Sequence, residues 1–215
     1  MNLKNIIIAV VLVLSLSFAL AAYSPQAFAP NVSVLEIPNL QTPEAKKIVQ
    51  SARSQIGIVT EYDGSYFPAD QVPENSGVCT DVIARALNSI DYDLREKVEE
   101  DIAKNPNQYP SSPPLDSNIN FRRVKILTVF LGKYFTPLTI QAIPGDIENL
   151  TNWQGGDIVT FAPLKSSGLE HIAIISDKRR ADGLPLLIHN YGIGTQEDDY
   201  LLNWPAQITG HYRSK

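Results

Sequence analysis

The residues best suited to chemistry in this 215-residue chain are its single cysteine and its three histidines. Cys79 stands where an apolar periodic stretch begins, which predicts a helix starting at the cysteine. Unpaired N–H groups and the dipole at a helix start favour a thiolate, and Gly77 permits a tight turn that would expose the sulfur. This pattern predicts a nucleophile. The alternative is a small, buried, unreactive side chain.

Two histidines occupy mirrored positions in a predicted β-hairpin. If Ser176 pairs with Leu184 across the polar turn, His171 lies directly opposite His189. Opposed residues on one face are close neighbours, whereas a slip of one residue would place the two side chains on different faces.

Together with Cys79, this pair predicts thiol-based hydrolysis of an amide bond. The thiolate attacks, His171 serves as the base that later protonates the leaving amine, and a second polar group fixes the imidazole tautomer. His189 is the expected orienting group, with Asn190 as the alternative. The third histidine, His211, is interpreted as a structural or surface strand residue.

The predicted elements place helices first and strands second. Thr-Pro-Glu at 42–44 starts a helix that Gly57 ends, and Asp93 starts another. Helices are also predicted at 79–90 and 123–134, and strands at 138–143, 157–162, 171–176, 184–189 and 207–213. This order predicts an α+β fold, with the helical N-terminal half packed on an antiparallel sheet.

The first residues resemble an export signal. Lys4 precedes an unbroken apolar run from Ile6 to Leu14, and small residues follow at signal-peptidase spacing. We therefore predict a signal peptide at 1–22, a Pro-containing linker at 23–41 and one hydrolase domain at 42–215. An uncleaved N-terminal anchor is the alternative. Both interpretations place the domain in the periplasm or cell envelope.

Composition excludes several classes of protein. The chain is 44% apolar and 19% charged, which fits neither disorder nor a multi-span membrane protein. Its net charge is −5, and removal of residues 1–22, with Lys4 as their only charge, would make it −6. An acidic exported domain is not expected to bind nucleic acid. One cysteine cannot form an internal disulfide, so a reactive thiol is worth considering.

A set of short motifs resembles a known superfamily. A cysteine at a helix start, a histidine opening a strand and a polar residue on the next strand resemble the NlpC-like branch of papain-like cysteine peptidases. Within that superfamily the chain resembles an exported bacterial family of unknown function, over about residues 45–213. The motifs that carry the resemblance are G-V-C-T-D-V, N-I-N-F-R-R-V, G-D-I-V-T, H-I-A-I-I-S-D, L-I-H-N-Y-G-I-G-T and I-T-G-H-Y-R.

The resemblance implies a papain-like fold and a cofactor-independent peptidase or amidase acting on peptidoglycan stem peptides or cross-bridges. It implies Cys79 as nucleophile, His171 as base and His189 as third member. Tyr62 matches a tyrosine that shapes such sites, or is a packing residue. Asp81, two residues past the nucleophile, is expected to complement the helix dipole rather than to react. Phe121 stands where the family often has a histidine.

Three alternatives remain at this stage. Acyl transfer would use the same thioester intermediate. A zinc hydrolase could use His171 and His189 with His211 or Asp177, although no His-x-His or His-x-x-x-His spacing occurs. A non-catalytic wall-binding or scaffold domain could keep the fold, because fold alone does not prove activity.

Overall fold

The computed structural model describes residues 35–68 and 71–215, and the predicted signal peptide lies outside them. The helices begin close to their predicted caps: Thr42 accepts a hydrogen bond from the Ala45 N–H, and Asp93 from the Glu96 N–H. The described residues form five α-helices: α1 (Pro43–Ser54), α2 (Cys79–Asn88), α3 (Leu94–Lys104), α4 (Val124–Tyr134) and the short α5 (Ile147–Thr151). The connection between α3 and α4 contains two 3₁₀ turns, Pro106–Gln108 and Asn120–Arg122.

The strands form a six-stranded antiparallel sheet and a separate parallel pair. The pair joins β1 (Glu61–Tyr62) to β2 (Ser76–Gly77), just ahead of Cys79. The large sheet has the order β3-β8-β4-β5-β6-β7. Its strands are β3 (Thr136–Pro137), β4 (Ile158–Phe161), β5 (His171–Arg179), β6 (Pro185–Asn190), β7 (Thr195–Asp198) and β8 (Ile208–Arg213).

The sheet has an apolar cluster on each face, because side chains alternate along a strand. Ile172 and Ile174 of β5 pack against α1, α2 and α4 in one cluster, which also contains Cys79. Ala173 and Ile175 belong to the second cluster, with Trp153 and Leu187. The predicted α+β class with a helical half on an antiparallel sheet is confirmed.

The predicted strand at 138–143 does not form. Only Thr136 and Pro137 pair with β8, after which the chain leaves the sheet edge. The side chain of Asn149 makes backbone hydrogen bonds that a neighbouring strand would otherwise make. It accepts from the Ile143 N–H and donates to the Gln141 carbonyl. Those backbone groups are therefore satisfied without a ladder.

The described part of the predicted linker is docked rather than free. The Leu35 N–H donates to the Ala181 carbonyl, and Leu35 and Ile37 pack on the second apolar cluster. Gln154 holds the next turn through the Leu40 N–H and the Pro38 carbonyl. The helices formed by residues 35–68 and 71–215 are all too short or too polar to span a bilayer.

Candidate active site

His171 and His189 form a buried, hydrogen-bonded pair. Nε2 of His171 lies 2.6 Å from Nδ1 of His189, and the two side chains are 3% and 0% exposed. The predicted register was wrong, because β5 and β6 pair Ile174 with Ile188, and a bulge shifts the strands beyond Ile175. The histidines are thus diagonal neighbours on one face rather than directly opposed. Diagonal neighbours remain within reach of long side chains, which explains the contact.

Asp198 continues this pair into a chain of three side chains. Its Oδ1 lies 2.9 Å from Nε2 of His189, on the neighbouring strand β7. The sequence interpretation missed both β7 and this residue. The sequence does signal a turn after Asn190, through Gly192 and Gly194. In the structure the strand after this turn pairs Gln196 with His189, which puts Asp198 diagonal to His189.

Aromatic rings cover the histidine pair. The indole of Trp204 stacks on His171 at 4.0 Å between centroids with a 16° interplanar angle. Tyr191 and Tyr200 pack against His189 at 4.7 and 5.8 Å. Burial, and after it the repulsion between the two imidazoles when both are protonated, lowers the pKa of His171 well below its usual value, so this imidazole is neutral at pH 7.

Cys79 is the first residue of α2, and its sulfur lies beside Ile172 near the start of β5. His171 and Ile172 are adjacent on β5, so their side chains point to opposite faces, and the His171 ring packs on Phe161 and Trp204 of the second cluster. The backbone N–H groups of Ile172, Thr80 and Cys79 itself face the sulfur. Among hydrogen bonds of the described residues, none links the sulfur to the His171 ring. The structure therefore brings the nucleophile beside the strand that opens with His171, with main-chain donors directed at the thiol.

The Cys79 thiol is closed to solvent. The residue is 3% exposed, and burial raises its pKa to about 12 despite the N–H groups around it. The expectation of a lowered thiol pKa is therefore corrected. Burial destabilises the thiolate by more than the helix start and the nearby N–H groups stabilise it. The resting site holds a neutral thiol and a neutral imidazole.

Tyr62 and Asp81 shape the site by different means. The phenol of Tyr62 neighbours the Cys79 sulfur, and burial followed by the charge of Cys79 raises the pKa of that phenol. Asp81 accepts from the Val78 N–H at 2.7 Å, capping α2, and pairs with Arg122 at 3.1 Å. Arg122 also donates to the carbonyls of Asp63 and Ser65. Asp81 thus acts through Arg122 to hold the loop that follows Tyr62.

Asn190 supports the cysteine loop and does not contact His171. Its amide donates to the Gly77 carbonyl at 2.9 Å and to the Glu61 carbonyl at 3.0 Å. Gly77 has a φ of +148°, and a Cβ there would approach Oδ2 of Asp81 to 2.7 Å. Between the two candidate orienting groups, the geometry therefore selects His189 and assigns Asn190 to the turn before Cys79.

His211 belongs to a separate structural network, as predicted. Its ring stacks on Trp153 at 3.9 Å and lies 3.0 Å from Asp157, which also binds Arg213. Asp177, the other zinc ligand considered, pairs with Arg53. Within residues 35–68 and 71–215, no three His, Cys, Asp or Glu side chains converge as a metal site would require. The ligands that the zinc alternative needs do not meet.

Comparison with known proteins places these residues inside one domain family. Residues 49–214 match the family described as "Domain of unknown function (DUF1287)". The chain belongs to this family. It is also similar to "Uncharacterized protein YijF" of Escherichia coli (strain K12), with 39% identity over 207 residues that cover 93% of this chain and 95% of the relative. No solved structure matches the chain.

Family membership confirms the predicted kinship with a family of unknown function. The matched range contains Tyr62, Cys79, His171, His189 and Asp198. The wider relationship to papain-like peptidases stays a prediction.

The closed thiol leads to a labelling prediction. We expect iodoacetamide to modify native Cys79 at pH 8 at least about tenfold more slowly than the same thiol in the unfolded chain, because burial suppresses the thiolate. Since the chain has one cysteine, protein in denaturant supplies the free-thiol reference directly. Mass spectrometry against time measures both rates. Equal rates in the two states would contradict the buried, neutral thiol.

The neutral His171 makes stability depend on pH. Its folded-state pKa lies below the unfolded value of about 6.5, so below that pH the unfolded chain binds a proton that the folded chain does not. The free energy of unfolding should therefore fall as the pH drops below about 6.5, with a slope that approaches about 1.4 kcal/mol per pH unit once the unfolded imidazole is fully protonated. The lowered pKa values of Asp101 and Glu197 act only below about pH 4.5.

Chemical denaturation of wild type and His171→Gln from pH 7 to 5 measures this contribution. As the pH is lowered, the free energy of unfolding should fall more steeply for wild type than for the variant, by up to about 1.4 kcal/mol per pH unit, which corresponds to one proton. Parallel curves would show that His171 titrates alike in both states.

Proposed function

We propose that the protein is a thiol-dependent amide hydrolase of the papain-like, NlpC-like type that acts outside the cytoplasm on peptidoglycan stem peptides or cross-bridges. The observation that carries this proposal is the arrangement at the start of β5. The Cys79 sulfur lies beside the Ile172 N–H there, and the preceding residue, His171, carries an imidazole that is hydrogen-bonded to His189. The proposed reaction requires this ring to come within hydrogen-bond reach of the sulfur. The order of motifs in the chain, which resembles that superfamily, supports the same reaction.

The reaction follows from which imidazole nitrogen is occupied. Nε2 of His171 is bonded to His189, so Nδ1 is the nitrogen left to accept the thiol proton. As Cys79 attacks the amide carbonyl, the C–S bond forms and the proton passes to His171. Collapse of the tetrahedral intermediate breaks the C–N bond, and His171 returns the proton to the leaving amine. Water, deprotonated by His171, then hydrolyses the thioester to a carboxylic acid and the free thiol.

Two groups can stabilise the oxyanion of the intermediate. The backbone N–H of Cys79 faces the sulfur at the positive end of α2. The Tyr62 phenol stands beside the same sulfur, and its raised pKa keeps it protonated as a donor. Because Cys79 is 3% exposed, substrate entry requires the cover over the thiol to move.

The substrate class is supported by a cleft next to the histidine cover. Trp204, which stacks on His171, also lines a cleft of about 810 Å³. Its walls combine apolar side chains such as Ile140 and Leu202 with the polar Lys165 and Gln207. A mixed lining suits an extended peptide that carries carboxylates, and the predicted export signal supports a cell-wall peptide as the substrate.

The experiment is digestion of purified peptidoglycan fragments. The full chain, Cys79→Ala and Cys79→Ser are incubated with muropeptides, with and without a chelator, and new amino and carboxyl ends are identified by mass spectrometry. We expect wild type to cleave an amide bond with chelator present and Cys79→Ala to be inactive. Cleavage by Cys79→Ala would sink the thiol mechanism. Loss with chelator alone would favour a metal. No cleavage by wild type would favour a binding domain.

A further inference from the structure

The side chains of His171, His189 and Asp198 form a linear chain of two hydrogen bonds. Their contacts are Nε2 of His171 to Nδ1 of His189 at 2.6 Å, and Nε2 of His189 to Oδ1 of Asp198 at 2.9 Å. His189 uses Nδ1 toward His171 and Nε2 toward Asp198. The two hydrogen bonds therefore have a donor-to-acceptor direction, which depends on which nitrogens carry protons.

The carboxylate end fixes that direction. An ionised carboxylate only accepts hydrogen bonds, so Nε2 of His189 must carry a proton and donate to Asp198. With that as its one proton, His189 has an unprotonated Nδ1, which accepts from Nε2–H of His171. Neutral His171 is left with its lone pair on Nδ1. That is the nitrogen the proposed reaction needs as base.

We propose that Asp198 is a positioning residue which, through His189, holds His171 in the Nε2–H tautomer that leaves Nδ1 free as the general base. The inference rests on the proposed function for its catalytic consequence, while the tautomer itself is a property of the resting protein. Asp198 touches neither the thiol nor the carbonyl under attack. It acts only through the His189 ring.

Its surroundings suit this role. Tyr191 lies close to Tyr200 and Asp198, and burial together with these neighbours raises the pKa of the Tyr191 phenol, which stays protonated. The His189 side chain is 0% exposed, whereas that of Asp198 is 24% exposed. Water thus reaches the Asp198 carboxylate, whereas the His189 imidazole is buried.

A hydrogen bond donated from His189 to His171 would have a different, measurable consequence. If His189 carried two protons, it would donate to both neighbours, and His171 would hold its proton on Nδ1. The base would then be blocked toward Cys79. The two arrangements differ in the protonated nitrogen of His171, which ¹⁵N chemical shifts report.

The test is ¹⁵N NMR of the full chain labelled only at histidine, which gives three imidazoles to assign. Spectra of wild type, Asp198→Asn, Asp198→Glu and Asp199→Ala are compared at pH 7.5, and kcat and KM are measured on the muropeptide that wild type cleaves. Asp199 is the matched control, since it is adjacent, 43% exposed in its side chain and paired with Arg180 rather than with a histidine.

We expect Nε2–H on both His171 and His189 in wild type and in Asp199→Ala. Asp198→Asn, which keeps size but lets an NH₂ group face His189, should shift population to the Nδ1–H tautomers. Its kcat should fall between about 10-fold and 10⁴-fold with KM little changed, the upper value being the loss known where a triad carboxylate is neutralised. Asp198→Glu should recover part of both readouts.

Wild-type His171 in the Nδ1–H form, or tautomers unchanged in Asp198→Asn, would overturn the inference. An unchanged kcat in Asp198→Asn, measured against an active wild type, would overturn its catalytic consequence. Activity that survives in Cys79→Ala would instead refute the proposed function and leave the tautomer result standing, so the two failures are distinguishable.

Discussion

Replacement of His171 by glutamine is expected to lower kcat/KM for a cleaved muropeptide by about 10²–10⁴-fold, the usual contribution of a general acid–base group. The imidazole is the proposed acceptor of the Cys79 proton and the donor to the leaving amine, and glutamine can do neither. His171 is 3% exposed, and its ring lies against Trp204 and His189. Steady-state kinetics on the purified variant measure the loss.

His211→Gln is the matched control for this change. His211 is also buried and stacks on a tryptophan, as His171 does, but it lies in the separate network with Asp157. This variant should lose stability while its folded fraction keeps kcat within a few-fold of wild type. If His171→Gln retained more than a tenth of wild-type activity, His171 would not be the base.

Loss of Arg122 should have the largest effect on stability. Its guanidinium pairs with Asp81 at 3.1 Å, and the two side chains are 6% and 3% exposed. Arg122→Ala leaves that carboxylate buried and uncompensated, which typically costs about 3–5 kcal/mol. It also frees the carbonyls of Asp63 and Ser65, so the loop beside Tyr62 should loosen and alkylation of Cys79 should accelerate.

Arg123→Ala is the control for Arg122→Ala. Among the described residues, the side chain of the neighbouring arginine donates to the exposed Pro114 carbonyl alone, so its removal should change the free energy of unfolding by less than about 1 kcal/mol. Denaturant titration compares both variants with wild type. A similar, small loss in both would show that the ion pair of Arg122 and Asp81 contributes little.

The starts of the elements could be read from the sequence because local chemistry sets them. Thr42 and Asp93 cap their helices as predicted, and Cys79 opens α2. His171 opens β5. These positions depend on caps and periodicity within a few residues, which is why the class of fold and the candidate residues followed from the chain alone.

The register and the orienting carboxylate could not be read in the same way. The bulge beyond Ile175 shifts the pairing without any marked change in the apolar pattern. Asp198 lies on β7, whose T-Q-E-D sequence has a single β-branched residue and no aromatic one to mark a strand. The geometry of the histidine pair therefore required the fold.

Long-range contacts and burial account for the remaining differences. Arg122 reaches Asp81 across 41 positions, so its hold on the loop after Tyr62 has no local signature. The helix start at Cys79 predicted a lowered thiol pKa, but the packing around the sulfur raises it. Desolvation depends on neighbours from α2 and β5 together, and these meet only in the folded protein.

The central claim, that Cys79 is a nucleophile served by His171, is tested most directly by trapping the thioester. Excess enzyme is mixed with a muropeptide that it cleaves, quenched in acid within milliseconds to seconds, and mapped by peptide mass spectrometry. We predict that the acyl half of the substrate is attached to Cys79, labile to hydroxylamine, and formed far more slowly in His171→Gln. An acyl group on another side chain, or product formed by Cys79→Ala at the wild-type rate, would contradict the claim.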